Sequence, residues 1–312
     1  MQHIIDKNIR LNNQSDYLAR LNDLVRKTYN PPSFGLDKGI IYCAGGVEYF
    51  KCAFASAYAL RKLGCNLPIQ FWHIGDNEIN AEMRQLCSNY NIECVNAVNV
   101  CKHNGLGINF FGQKAHKKFE IKPLSILFTN IRQVLFIDAD NIPVKDPTYL
   151  YDDNRYKEHG SIFWPDFDNR DGKYLEWLPE RSWKAFGMNH RKELDFETGQ
   201  ILVDKSKCYK ELCITLWVNM HSKFFYNYMH GDKSSFHLVW RKCNKNYYIN
   251  NKPPGWKWQC LLQYDPDNNL IFQHACHGKK QICDGNVPAE IVNHQLINEA
   301  AKVRSEIWNG KL

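Results

Sequence analysis

Asp138 and Asp140 are the residues whose types and spacing point most directly to chemistry. Only Ala139 separates them, and they follow Val134-Leu135-Phe136-Ile137, an apolar run of β-branched and aromatic residues that predicts a buried strand. In an extended chain, residues i and i+2 face the same way, so both carboxylates can address one point. Open α/β sheets bind their ligands at the carboxyl ends of strands. Two like charges there call for a cation, and carboxylate oxygens suit Mn²⁺, Mg²⁺ or Ca²⁺, which bridge to phosphates. The pattern therefore predicts a metal–diphosphate site, such as one for a nucleotide-sugar. Its plain alternative is a solvated turn, because Asp-x-Asp also arises by chance.

The elements that must position this pair read as α/β. Gly39 to Ala44 is a short strand ending at Gly45-Gly46, followed by helical spacing from Tyr49 to Leu63. Pro68 to Ile74 and Ile92 to Ala97 predict strands around a helix from Asn80 to Asn91, and Lys122 to Asn130 predicts a short helix leading into the strand before Asp138. Strands alternating with helices imply a largely parallel sheet. Beyond Asp146-Pro147 the chain becomes richer in aromatic residues, with strands at Gly160 to Phe167 and Glu197 to Asp204 and helices at Cys208 to Asn219 and from His230 onward. Residues 1–36 read as an accessory helical segment closed by Pro31-Pro32, and 37–312 as one domain. Its nucleotide-binding half covers about 37–147, its acceptor half about 148–280, and its helical tail 281–312.

Composition narrows the function. With 44% hydrophobic residues among 312, the chain can bury a sizeable core. The net charge of +7 is dispersed in short groups such as Lys114 to Lys118, without a nucleic-acid motif, so no nucleic-acid partner is expected. The twelve cysteines include no Cys-x-x-Cys, and Cys43, Cys52, Cys65, Cys94 and Cys260 sit in apolar contexts as small hydrophobes. A secretory setting leaves disulfides open. Dinucleotide-binding and P-loop glycine motifs are both absent. No signal peptide or membrane span is visible, so a cytoplasmic location is expected, with the secretory lumen only for a fragment of a longer protein.

An ordered series of blocks then converges on a family. Lys122-Pro123-Leu124-Ser125-Ile126 leads to Leu135-Phe136-Ile137-Asp138-Ala139-Asp140-Asn141-Ile142-Pro143. Phe163-Trp164-Pro165-Asp166-Phe167, Glu197-Thr198-Gly199-Gln200-Ile201-Leu202-Val203-Asp204-Lys205 and Gly231-Asp232-Lys233-Ser234-Ser235-Phe236 follow, then Gln263-Tyr264-Asp265-Pro266 and Phe272-Gln273-His274. Over roughly 38–280 the chain resembles the fungal Mnn1/Mnn2-type α-mannosyltransferases. The resemblance implies a GT-A fold with a mixed, mainly parallel sheet flanked by helices. It also implies a retaining glycosyltransferase that uses a GDP- or UDP-linked sugar, Mn²⁺ (Mg²⁺ as the alternative) and a glycan or glycoprotein acceptor.

A more distant likeness to glycogenin-like retaining transferases implies the roles. Asp138, Asp140 and His274, with His277 the fallback, would hold the metal; Lys279 or Lys280 would neutralise the leaving diphosphate. Ala44, Gly45, Gly46 and Tyr49 would face the nucleotide, and Lys122, Ser125, Ala139 and Gly199 would complete the donor site. Asp232, Glu197 and Asp166 are the carboxylates near the sugar, with Gln200 and Asp232 positioning it and Lys233 or Lys279 adding positive charge worth about 3 kcal/mol when desolvated. Two rival readings stand beside this one: a metal-dependent phosphohydrolase, which would want further carboxylates, and a non-catalytic carbohydrate-binding protein, which would explain the aromatics but not the metal carboxylates.

Overall fold

The computed structural model describes residues 2–4, 10–106, 119–167 and 176–312, and the basic group at Lys114 to Lys118 lies outside them. Among these residues, helix α1 (Gln14–Arg26) starts where the Asn13 side chain accepts a hydrogen bond from Asp16 N, and it buries Leu21 and Leu24. The α/β alternation follows: β1 (Leu36–Cys43), α2 (Val47–Lys62), β2 (Ile69–His73), α3 (Ala81–Asn89), β3 (Ile92–Asn96) and α4 (Ala97–His103). Next come α5 (Ile121–Phe128), β4 (Ile131–Ile137), the three-residue β5 (Asn141–Pro143), α6 (Asn154–His159) and β6 (Ser161–Pro165). The remaining elements are α7 (Glu180–Ala185), β7 (Phe196–Asp204), α8 (Lys205–Met220), α9 (Ser222–Phe225), α10 (Gly231–Lys242), β8 (Tyr248–Ile249), β9 (Gly255–Lys257), β10 (Cys260–Tyr264), β11 (Leu270–His274), α11 (Lys279–Asp284) and α12 (His294–Ile307).

Seven strands form the central sheet in the order β3-β2-β1-β4-β7-β6-β8. β1 is parallel to β2 and β4, β2 to β3, and β6 to β8, while β7 runs antiparallel to both β4 and β6. The fold is thus the expected α/β class with a mixed, mostly parallel sheet. Period-two alternation sorts its side chains onto two cores. Ile40, Tyr42, Leu135, Ile137 and Leu202 join the core that includes Phe50, Phe54 and Trp308, from α2 and the tail. Ile41, Val134, Phe136, Ile201 and Val203 join the other core, with Leu124, Leu212, Trp217 and Trp240 from α5, α8 and α10.

A second, antiparallel sheet in the order β5-β11-β10-β9 was not foreseen from the sequence. One expectation about the cysteines is also corrected. Cys52 is not a free small hydrophobe but forms a disulfide with Cys283, because α2 and α11 bring their Cα atoms to 4.9 Å across a sequence separation of 231. No described helix is long and apolar enough to cross a membrane.

Candidate active site

Because β7 runs against its neighbours, its first residues lie at the same sheet edge as the last residues of β1, β4 and β6. Asp138 N donates to Gly199 O at 2.7 Å, and Asn141 N then donates to Asp138 O at 3.0 Å, so the Asp-x-Asp forms a tight turn into β5. β5 pairs with β11 so that Asn141 lies opposite His274. That pairing carries His274 to the carboxylates: its Nε2 lies 3.4 Å from Asp140 Oδ1 and 4.0 Å from Asp138 Oδ2. The expected trio meets, although its members come from two sheets.

The imidazole is aimed from behind. His274 Nδ1 is 3.1 Å from Glu197 Oε1, which also accepts from Gly199 N at 2.7 Å, while Glu197 Oε2 accepts from Gln200 Nε2 at 2.9 Å. Asn141 Nδ2 donates to Gln200 Oε1 at 2.6 Å and to Gly199 O at 2.9 Å. Gly199 is required here, since a Cβ would overlap His274 Nδ1. Glu197 and Gln200 are buried beneath the site, where they orient His274. Asn141 belongs to the same network and was not singled out from the sequence; its position directly after Asp140 was the available signal.

Two lysines answer the acidic charge. Lys279 Nζ is 3.2 Å from Asp140 Oδ2 and 4.6 Å over the Tyr49 ring. Lys122 is buried, 3.1 Å from Asp138 and 3.0 Å from Thr198 O, and faces Asp232 Oδ2 at 3.2 Å without hydrogen-bond geometry. Burial pushes Asp138 up to about 6 against the pull of Lys122 and His274. Burial also works to raise Asp140, but His274 and Lys279 outweigh it and hold that carboxyl low. Burial opposes the charge on His274, and Cys276, Glu197 and Asp140 overcome it, so its value lies well above the usual one.

The other expected residues divide. Gly46 adopts φ +83° at the start of α2, and a Cβ at Gly45 would overlap Glu78, so this corner needs its glycines. Ala44 is buried at the strand end, Ala139 is buried within the Asp-x-Asp turn, and Tyr49 is exposed. Ser125 is buried and spends its hydroxyl on Lys122 O at 2.9 Å. Lys233 pairs with Asp166 and lies 3.7 Å over the Trp177 ring. His277 does not join the carboxylates; its ring faces Trp256 at 5.7 Å.

Among the described residues, no three His, Cys, Asp or Glu side chains are gathered as a ready-made ion site. Ligands held about 2.1 Å from an ion would stand about 3 Å apart, closer than Asp138 and His274 are. The donor chemistry nevertheless fits a hard divalent cation. With Glu197 accepting at Nδ1, His274 turns Nε2 toward two carboxylates, a place that demands positive charge, whether a proton or a metal.

The family model described as "Mannosyltransferase putative" matches residues 37–284. The chain belongs to this family. Every residue placed at the site lies within the family's matched span, and α12 lies outside it. The likeness to Mnn1/Mnn2-type enzymes is borne out by curated relatives as well. Alpha-1,2-mannosyltransferase MNN21 of Candida albicans is 24% identical over 288 residues, covering 75% of this chain and 44% of that protein. Alpha-1,2-mannosyltransferase MNN2 of the same organism is 24% identical over 302 residues, covering 75% and 49%. The chain spans less than half the length of these relatives. The structure is also similar to the X-ray structure of the mannosyltransferase Ktr4p from S. cerevisiae in complex with GDP, with a TM-score of 0.44 and 11% identity over 99% of this chain and 95% of that one.

Proposed function

We propose that the protein is a metal-dependent retaining glycosyltransferase of GT-A type that moves mannose from a nucleotide-sugar, with GDP the expected nucleotide, to a glycan acceptor. The observation that carries this reading is the convergence of Asp138, Asp140, His274 and Lys279 at one sheet edge. The family supports glycosyl transfer, and the relatives named as alpha-1,2-mannosyltransferases support mannose as the sugar. A phosphohydrolase would want a second carboxylate cluster, and a binding protein would have no need of carboxylates facing a histidine and a lysine.

Asp138, Asp140 and His274 would hold Mn²⁺ or Mg²⁺, which when bound draws charge off a diphosphate as a Lewis acid. Lys279, on the far oxygen of Asp140, offers a cation to the leaving group. Lys122 neutralises Asp138 and Asp232 together and so ties the Asp-x-Asp turn to the start of α10. The carboxylates near the sugar are engaged: Glu197 with Gly199, His274 and Gln200, Asp166 with Lys233, and Asp232 with Lys122. This supports attack by the acceptor hydroxyl on the face the nucleotide leaves, its proton passing to the departing phosphate oxygen, over a covalent glycosyl-enzyme. The Cys52–Cys283 disulfide supports an oxidising compartment over the cytoplasm expected from the sequence.

The test is thermal stabilisation by GDP, UDP and their sugar conjugates, each with and without Mn²⁺, followed by product analysis with GDP-mannose and mannobiose. A Mn²⁺-dependent shift with GDP that disappears in Asp138→Ala, together with an α-linked trisaccharide, is expected. No shift with any nucleotide, or release of free mannose alone, would sink the reading.

A further inference from the structure

The second sheet extends away from the metal-site candidates to β9, its edge strand among the described residues. In its register Leu261 lies opposite His274 on one side and opposite Trp256 on the other. Directly opposed residues of antiparallel strands share a face. Trp256 therefore stands on the same face as His274, two strand spacings away, about 10 Å. The residue is 49% exposed, though it is large and apolar.

Two further rings surround Trp256. Its ring lies 5.8 Å from Phe167, which directly follows Asp166 at the end of β6, and 5.7 Å from His277. The opposite end of the same sheet, β5, is held by α2, where Ser56 Oγ donates to Asn141 O at 2.7 Å. The nucleotide-side candidates Gly45, Gly46 and Tyr49 belong to that α2 end. Trp256 occupies the other flank of His274, at the end of the sheet opposite these nucleotide-side candidates.

The hairpin holding Trp256 is built for rigidity. The two turn residues between β9 and β10, Trp258 and Gln259, have φ of +44° and +59°, a left-handed conformation that bulky residues avoid. Such strain persists where surrounding structure over-determines it. Here Trp258 packs on the core beside Gly278, where a Cβ would come within 2.9 Å of its ring, and His277 N donates to Gln259 O at 3.2 Å. The loop after His274 and the hairpin are thus joined by packing and by a backbone hydrogen bond, which ties the position of Trp256 to that of His274.

We propose that Trp256 is the stacking platform for a pyranose of the acceptor glycan, on the flank of His274 away from the nucleotide. The proposal rests on the transferase reading and deepens it. An indole offers a flat apolar face to the C–H face of a sugar while its N–H remains free to hydrogen-bond. A second ring from Phe167 and a polar one from His277 bound the platform.

The test measures transfer to methyl α-mannoside, mannobiose and mannotriose by the wild type, Trp256→Ala and Trp256→Phe, alongside saturation-transfer NMR of mannotriose binding without donor. Mn²⁺-dependent stabilisation by GDP checks that each variant is folded. The acceptor KM of Trp256→Ala should rise about tenfold for mannotriose, a difference of about 1.4 kcal/mol, and less for methyl α-mannoside, with partial recovery in Trp256→Phe. Mannotriose binding should weaken in parallel. An acceptor KM and a binding signal within twofold of wild type for every acceptor would overturn the platform and leave the transferase reading standing. If the wild type transfers no sugar, the transferase reading fails, and mannotriose binding lost in Trp256→Ala still upholds the platform while unchanged or absent binding overturns it.

Discussion

His274 reaches the carboxylates with its Nδ1 already committed to Glu197, so the Glu197–Gln200 network acts on the site through one imidazole. Replacing Glu197 by Gln keeps the shape but removes the charge that fixes the ring. The Mn²⁺ concentration needed for nucleotide stabilisation should rise about 10- to 100-fold, as for other ligand-orienting partners, with little change in melting temperature without metal. Gly199→Ala should act through the same ring from the other side, because the new Cβ displaces His274. Its expected result, in isothermal titration with Mn²⁺ and GDP, is loss of the metal-dependent heat while GDP-independent folding survives. Asp138 and Asp140 stood out as candidates from their spacing at the end of an apolar strand, and His274 from the likeness to glycogenin-like transferases. Gly199 stood among the expected donor residues, but its actual role, making room for a histidine from another sheet, depends on packing between segments 75 residues apart and leaves no local mark.

At the scale of elements, the loop joining β10 to β11 is organised by Asp265. It accepts from Asp267 N at 3.0 Å, Asn269 N at 2.8 Å, Tyr149 OH at 2.6 Å and Lys145 Nζ at 2.8 Å. Burial works to raise this carboxyl, but Lys145, Tyr149 and the Asn269 amide win and hold it at about 2, below the 3.8 of a free aspartate. A lowered carboxylate stabilises the fold above its unfolded value and loses that contribution as pH falls through its folded one. Denaturation midpoints should therefore fall between about pH 4 and pH 2 in the wild type, and Asp265→Asn should flatten that slope. At pH 7 the variant should be less stable by about 1–2 kcal/mol, allowing for screening at the part-exposed lysine. Element reading from sequence succeeded where a pattern is local: the apolar runs of β1, β2 and β4 and the helical spacing of α2 and α3. It could not give the reversed direction of β7, because period-two alternation is the same in either direction. Nor could it give the second sheet, whose three-residue strands β5 and β9 are too short to carry a pattern and whose β5 pairs with β11 over long range.

At the scale of the molecule, the Cys52–Cys283 bridge closes α2 onto α11, the helix that begins at Lys279. Cys52→Ser combined with Cys283→Ser should lower unfolding free energy by about 2–4 kcal/mol in a denaturant titration. The wild type under strong reductant should match the double variant, and a pair of coincident curves without reductant would refute the stabilising role. The late strands have a different consequence, one of timing. The chain through β4 supplies both aspartates early, whereas β11 supplies His274 only after well over a hundred further residues. At about 5–20 residues per second, a ribosome leaves the carboxylates without their histidine for on the order of ten seconds. The nascent protein thus passes through an interval in which its central sheet can form but the candidate site cannot, and the site is complete only when the last strands add to β5.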